Sequence, residues 1–290
     1  ELGQAARFHG LTIQDTGGTR ATIDAIKTRL RQMLPEVNAA TRAPAPASAL
    51  KIGLQCGGSD GFSGITANPA LGLAADMLAA TGASVVLSET PEIYGAERLL
   101  LDRAASPEIA EKLIERIRWW EEYTARSGAS LDNNPSPGNK AGGLTTILEK
   151  SLGAVAKGGS TPMNAVLDYA EPITAPGLSF MDTPGYDPVS VTGQIAGGAQ
   201  LIVFTTGRGS AFGSKPAPTI KLATNDRLFA AMPDDMDLNC GDILSGISME
   251  EKARQIVALI LATASGQATK SEALGLGDNE FVPWQIGAVV

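Results

Sequence analysis

The chain of 290 residues contains one histidine, His9, and two cysteines, Cys56 and Cys240. A single histidine excludes a His-rich zinc centre. It also leaves a Ser-His-Asp triad dependent on one residue near the start of the chain. Two cysteines so far apart in sequence read as free thiols of a cytosolic enzyme rather than as a structural disulfide. Basic residues are in the minority, 23 against 31 acidic, for a net charge of −8, which argues against a nucleic-acid partner. No apolar run approaches the roughly 20 residues of a membrane span, and the start has no signal-peptide pattern, so a cytoplasmic location is expected. Neither G-x-x-x-x-G-K-[ST] nor G-x-G-x-x-G occurs, which removes nucleotide-triphosphate and dinucleotide loops. Aromatic residues are scarce. The adjacent pair Trp119-Trp120 is read as core or interface packing rather than as a substrate platform.

What is present centres on residues 55–72, QCGGSDGFSGITANPALG. This stretch follows the apolar run 50–54 and leads into an amphipathic segment, giving the order strand, glycine-rich loop, helix. The loop holds Gly57, Gly58, Gly61 and Gly64, which allow tight bending and close backbone approach to a ligand. It also carries Cys56, Ser59, Asp60 and Ser63. Asn68-Pro69 reads as an N-cap followed by proline at the first helical position. A helix start facing such a loop favours an anion.

Residues 1–42 hold the apolar piece 11–13, the Gly17-Gly18 turn and a helix over about 22–34, and read as a fragment of another α/β domain. Residues 43–49 are a Pro/Ala linker. From residue 50 to 290, β-rich runs at 51–54, 84–87, 178–180, 201–204 and 219–222 alternate with helices at 70–80, 107–126 and 249–264. Ser248 and Glu251 suggest a capping box for the last helix. The alternation predicts an α/β domain, Rossmann-like, with a mostly parallel sheet and helices on both faces.

In a parallel sheet all strands end at one edge, where ligands bind. The segments 55–68, 88–97, 181–187 and 205–214 each follow a strand. Together they offer Glu89, Glu92, Asp182, Cys56, several hydroxyls and Arg208, a set suited to a small polar anion and a divalent metal. With so little histidine, a metal must be held mainly by oxygens, with Cys56 as a soft donor. That donor set suits Fe²⁺ or Mn²⁺ better than a structural zinc. A further loop, 133–143, is dense in Gly, Pro and Asn and places Lys140 just before a helix at 144–157, where it is a candidate proton acceptor.

The motifs QDTGGTR (14–20), CGGSDGFSGITANPALG (56–72), SPGNKAGGLTTILEKSLGA (136–154) and FTTGRGS (204–210) resemble those of the altronate/galactarate dehydratase family of sugar-acid dehydratases. The resemblance runs from about Leu11 to Val290. SETPEIYGAE (88–97), MDTPGYDPVSVTGQIAGG (181–198) and the ending EFVPWQIGAVV are most similar to its altronate branch. The resemblance implies a hydro-lyase that removes water from a sugar acid to give a 2-keto-3-deoxy acid. Galactarate and sulfolactate are the other substrates of the family, and a non-catalytic subunit role is the contrasting expectation. The resemblance also implies that a small substrate-binding module and the first part of a middle domain are absent from this stretch. Assembly into a homo-oligomer is left open.

Within this frame Cys56, Glu89 and Glu92 are the expected metal ligands. Arg208 and the Gly57-Gly58 backbone are expected to hold the substrate carboxylate. Lys140 or Glu149 is expected to serve as base or acid. Ser59, Asp60, Asn68, Asn139, Asp182, Thr205 and Thr206 are expected to line the sugar-binding site.

Overall fold

The computed structural model describes residues 9–131 and 135–286. The chain divides into two compact units between Ala45 and Pro46. The first contains α1 (Ile13–Thr16) and α2 (Thr19–Asn38). α2 is longer than the pattern predicts and runs through Pro35. Its apolar residues Ile23, Ile26, Leu30, Leu34 and Val37 are exposed.

The second unit is built on seven parallel strands: β1 (Lys51–Cys56), β2 (Ser84–Leu87), β3 (Met163–Leu167), β4 (Gly177–Met181), β5 (Leu201–Thr206), β6 (Thr219–Ala223) and β7 (Leu238–Asn239). They lie in the order β3-β4-β2-β1-β5-β6-β7. The helices are α3 (Ala67–Ala79), α4 (Arg98–Leu101), α5 (Pro107–Arg126), α6 (Pro137–Ala141), α7 (Ile147–Ala156), α8 (Asp187–Ala196), α9 (Asp226–Ala231), α10 (Met249–Ala264) and α11 (Lys270–Ala273). The parallel α/β expectation holds. The five foreseen strands are β1, β2, β4, β5 and β6. β3 and β7 lie at the two sheet edges, where one-sided exposure and shortness weaken the apolar run that signals a buried strand.

Side chains alternate between two cores, as the strand period of two requires. Ile52, Leu54, Val85, Leu87, Leu201, Val203, Ile220 and Leu222 point into the larger core with residues of α3 and α10. Val86, Ile202, Phe204 and Met181 point to the opposite face, where Val191 of α8 packs. Among the described residues no helix is long and apolar enough to cross a membrane.

α3 begins before the expected cap. Its N-cap is Thr66, not Asn68. Asn68 is inside the helix and buried, where its amide donates to Gly153 O at 2.9 Å and accepts from Thr205 Oγ1 at 2.7 Å. A tertiary partner on each end of that amide outweighs the local preference for a cap.

The strand order fixes the ligand edge. From β1 the chain crosses to β2 on one side, whereas from β5 it crosses to β6 on the other. The loops leaving β1 and β5 therefore part, and their divergence opens a crevice, the usual place for a ligand in such sheets.

Candidate active site at the carboxyl edge of the sheet

The β1 and β5 loops are stitched together before they part. Gly57 N donates to Thr205 O at 3.1 Å, and Gly207 N and Arg208 N both donate to Gly58 O at 3.1 Å. Gly58 has a φ of +62°, a conformation that glycine adopts without steric cost. A Cβ on Gly57 would collide with the Asp187 carboxylate and with the Phe204 ring, so only glycine fits there.

Three donor side chains converge beneath this turn. Cys56 Sγ and carboxylate oxygens of Glu89 and Glu92 lie within 4.8 Å of one another, and all three residues are buried. Glu89 follows β2 in a left-handed conformation, φ 73° and ψ 67°, which costs a non-glycine residue about 1–2 kcal/mol. The β4 loop holds it there. Glu89 N donates to Thr183 Oγ1 at 2.9 Å, Thr90 N to Thr183 O at 3.0 Å, and Thr90 Oγ1 to Asp182 Oδ1 at 2.5 Å. The left-handed turn brings Glu89 and Glu92 to the same side.

Two lysines from α7 and its end compensate the charge. Lys157 Nζ lies 3.3 Å from Glu89 Oε2, and Lys150 Nζ is ion-paired with Glu92 Oε1. Two carboxylates this close cannot both ionise freely. Glu89 is held well above the usual carboxylate range by burial and by Glu92. For Glu92, burial pushes the same way, but Lys150 and Lys157 outweigh it and hold its carboxyl below that range. Burial pushes the Cys56 thiol up to about 12, and the protonated sulfur donates to Glu92 Oε2 at 3.3 Å.

The donor chemistry fits a divalent cation. One thiol and two carboxylates make a mixed soft and hard set, and no histidine is needed. Glu89 Oε1 is buried and has no hydrogen-bond partner among the described residues, the condition in which a buried oxygen lacks a cation or donor. Three protein donors would leave coordination positions for substrate oxygens.

The expected substrate contacts divide. Arg208 is exposed beside the turn, and among the described residues no hydrogen bond or ion pair engages its guanidinium. The guanidinium lies over Gly138 so closely that a Cβ there would strike it. Arg208 and Asp60 line a cleft of about 720 Å³ with Phe62, Gly142, Asn225 and Met232. Asp60, however, is already hydrogen-bonded through both oxygens. Its Oδ1 accepts from Phe62 N, Ser63 Oγ and Thr224 Oγ1, and its Oδ2 from Asn225 Nδ2.

Ser59 and Asn139 are buried and joined, with Asn139 Nδ2 donating to Ser59 O at 2.9 Å. Thr205 is bonded to Asn68, and Thr206 Oγ1 accepts from Gly209 N at 3.0 Å. Asp182 Oδ1 accepts from Trp120 Nε1 at 2.8 Å as well as from Thr90. These polar residues brace the loops with one another. The two residues expected as acid or base are both exposed. Glu149 caps α7, accepting from Thr145 N and Thr145 Oγ1 at 2.8 Å each. Lys140 lies in the last turn of the short helix α6.

Three residues with evident roles escaped the sequence reading: Lys150, Lys157 and Asp187. Lys150 and Lys157 are seven residues apart, two helical turns, on the stripe that carries Ala154 into the core. A lysine on an apolar stripe needs a buried partner, and that signal was available. Asp187 closes the MDTPGYD motif at the first position of α8.

The C-terminal domain model of D-galactarate/altronate dehydratase matches residues 47–289. The chain is 45% identical over 228 residues to altronate dehydratase of Bacillus subtilis, covering 78% of this chain and 46% of that protein. It is 41% identical over 261 residues to galactarate dehydratase (L-threo-forming) of Escherichia coli, covering 89% of this chain and 50% of that protein. It is 35% identical over 272 residues to the (2R)-sulfolactate sulfo-lyase subunit beta of Chromohalobacter salexigens, covering 92% of this chain and 69% of that subunit. The chain thus spans about half the length of the two dehydratases.

Proposed function

Since the chain belongs to the D-galactarate/altronate dehydratase family, we propose that it carries the reaction centre of a metal-assisted sugar-acid dehydratase. The reaction converts an aldonate such as D-altronate into a 2-keto-3-deoxy acid and water. The observation that carries this reading is the buried convergence of Cys56, Glu89 and Glu92 at the sheet's switch point, with an unpartnered Glu89 oxygen.

The C2 proton of such an acid is weakly acidic because the neighbouring carboxylate is already negative. Its removal builds a second negative charge. Cys56, Glu89 and Glu92 would hold Fe²⁺ or Mn²⁺, and the bound ion supplies Lewis-acid stabilisation of that charge. Arg208 takes the substrate carboxylate through two parallel hydrogen bonds, no side chain among the described residues engaging its guanidinium. The Gly58 amide offers a further donor beside it. Lys150 and Lys157 keep positive charge next to the developing dianion. The cleft beyond Arg208 accommodates the remaining carbons of the chain.

The test is to strip metal from the intact enzyme, reload Fe²⁺ or Mn²⁺, and assay D-altronate, D-galactarate and sulfolactate. The reading expects metal-restored formation of a 2-keto-3-deoxy acid. Full turnover after exhaustive chelation overturns the metal role, and preference for sulfolactate over both sugar acids reassigns the substrate.

A further inference from the structure

We propose that Asp187 is the base that removes the C2 proton. This deepens the dehydratase reading and rests on it. The residue sits at the first position of α8, and its carboxylate lies against the Cα of Gly57, in space that any side chain at 57 would fill. At the next residue, Gly58 faces Thr206 Oγ1 and Arg208 Cβ, at 3.2 and 3.4 Å from an ideal Cβ position. The diglycine turn therefore has the Asp187 carboxylate against its first glycine and the stem of Arg208, whose guanidinium reaches over Gly138, against its second. A 2-hydroxy acid bound at this turn with its carboxylate on Arg208 would have C2 as the carbon for Asp187 to deprotonate.

Other groups at the site are committed. The Lys150 and Lys157 ammonium groups are paired with Glu92 and Glu89. Glu149 caps its own helix, and Lys140 is exposed on α6. Asp187 is different. Among the described residues no side chain donates a hydrogen bond to it. It is half-buried, whereas Cys56, Glu89 and Glu92 are enclosed.

The step balances as follows. An Asp187 oxygen takes the proton from C2, and the C–H electron pair passes into the carboxylate as an enediolate. That pair then forms the C2–C3 double bond as the C3–O bond breaks. The departing hydroxide is protonated to water by the proton that Asp187 received, which restores the carboxylate. The enol left behind gives up its C2 hydroxyl proton to solvent, gains a proton at C3 from solvent and becomes the 2-keto-3-deoxy acid.

The experiment uses the intact enzyme and two variants. Asp187→Asn keeps the shape of the side chain. The expected result is a fall in kcat of about 10²- to 10⁴-fold, the range for general acid–base groups, with loss of C2-proton exchange into D₂O. Bound metal and the dissociation constant for the sugar acid stay within a few-fold. Gly57→Ala is the independent arm, since it displaces the Asp187 carboxylate without removing it, and it is expected to lower kcat as well. Asp187→Asn that exchanges the C2 proton and turns over within tenfold of the parent overturns the assignment. So does Gly57→Ala with unchanged kcat, even where Asp187→Asn fails to fold. Failure of the metal-loaded parent enzyme to dehydrate any sugar acid overturns the broader reading instead.

Discussion

Cys56 and Cys240 have much in common and differ in one respect. Both are buried free thiols at the ends of parallel strands, and burial pushes both up to about 12. Each has a carboxylate and a buried lysine nearby. Beside Cys240, Lys252 Nζ pairs with Asp242 Oδ2 at 2.9 Å and bonds to Gln255 Oε1 at 2.7 Å. Asp242, like Glu89, even leaves an oxygen without a partner. An orphan oxygen alone therefore does not distinguish the two places. The number of converging donors does. Around Cys56 the left-handed turn at Glu89 folds a second carboxylate in, and the sulfur hydrogen-bonds to Glu92. Among the described residues only the Cys56 group gathers three potential ligands. Around Cys240 a thiol, an acid and a lysine make a structural trio, and around Cys56 a second acid completes a set that could hold a metal ion.

The comparison can be broken in graded ways. Lys157→Met removes a fully buried cation and leaves Glu89 uncompensated. Stability should fall by about 3–5 kcal/mol in chemical denaturation, whereas Lys252→Met, whose partner Asp242 is 34% exposed, should cost clearly less. Equal losses would erase the distinction. Cys56→Ser should weaken Mn²⁺ or Fe²⁺ binding, measured by titration, by at least the 10–100-fold typical of lost supporting groups. Cys240→Ser should leave metal affinity unchanged and cost about 1–3 kcal/mol of stability for a buried hydroxyl.

The pH dependence sharpens the same contrast. Burial favours the protonated Cys56 thiol, and under the proposed function its thiolate would be the ligand, so metal binding should release a proton. Affinity should rise about tenfold per pH unit across the neutral range, following the ordinary pKa convention of one proton per tenfold, and Cys56→Ser should flatten that slope. The smallest effect on the fold is expected from Arg208→Lys. It should lower kcat/KM by about 1.5–3 kcal/mol, the worth of hydrogen bonds to a charged group, while the thermal midpoint stays put because the guanidinium has no partner to lose among the described residues.

Much of this was legible in the sequence because the signals are local. The short β-rich runs mark β1, β2, β4, β5 and β6, and Ser106-Pro107 and Ser248 mark where α5 and α10 start. Parallel strands then bring residues 56, 89, 92, 187 and 208 to one edge without further information. What local pattern does not carry is which polar side chain faces which. Glu149 and Lys150 are neighbours in sequence, yet about 100° of helix rotation puts one in water and the other in the cluster. Asp60, Asn68 and Asp182 look like ligand-binding residues by type, but long-range partners at Thr224, Gly153 and Trp120 engage them. Such pairings span tens to more than a hundred residues.

The three tryptophans of the chain all lie in one aromatic group. The Trp120 ring stacks on Trp284 with centroids 5.2 Å apart, and Trp119 meets both edge-on. Trp284 arrives on the C-terminal segment, which is fastened by Val282 N to Thr192 Oγ1 at 2.9 Å. Trp120 also donates to Asp182, whose loop holds Glu89 in place. The protein's intrinsic fluorescence is therefore a local signal rather than an average over the molecule. Emission and near-ultraviolet dichroism should register the docking of the C-terminal segment and the state of the Asp182 loop, giving an optical readout of the Glu89 turn from a reporter already built into the chain.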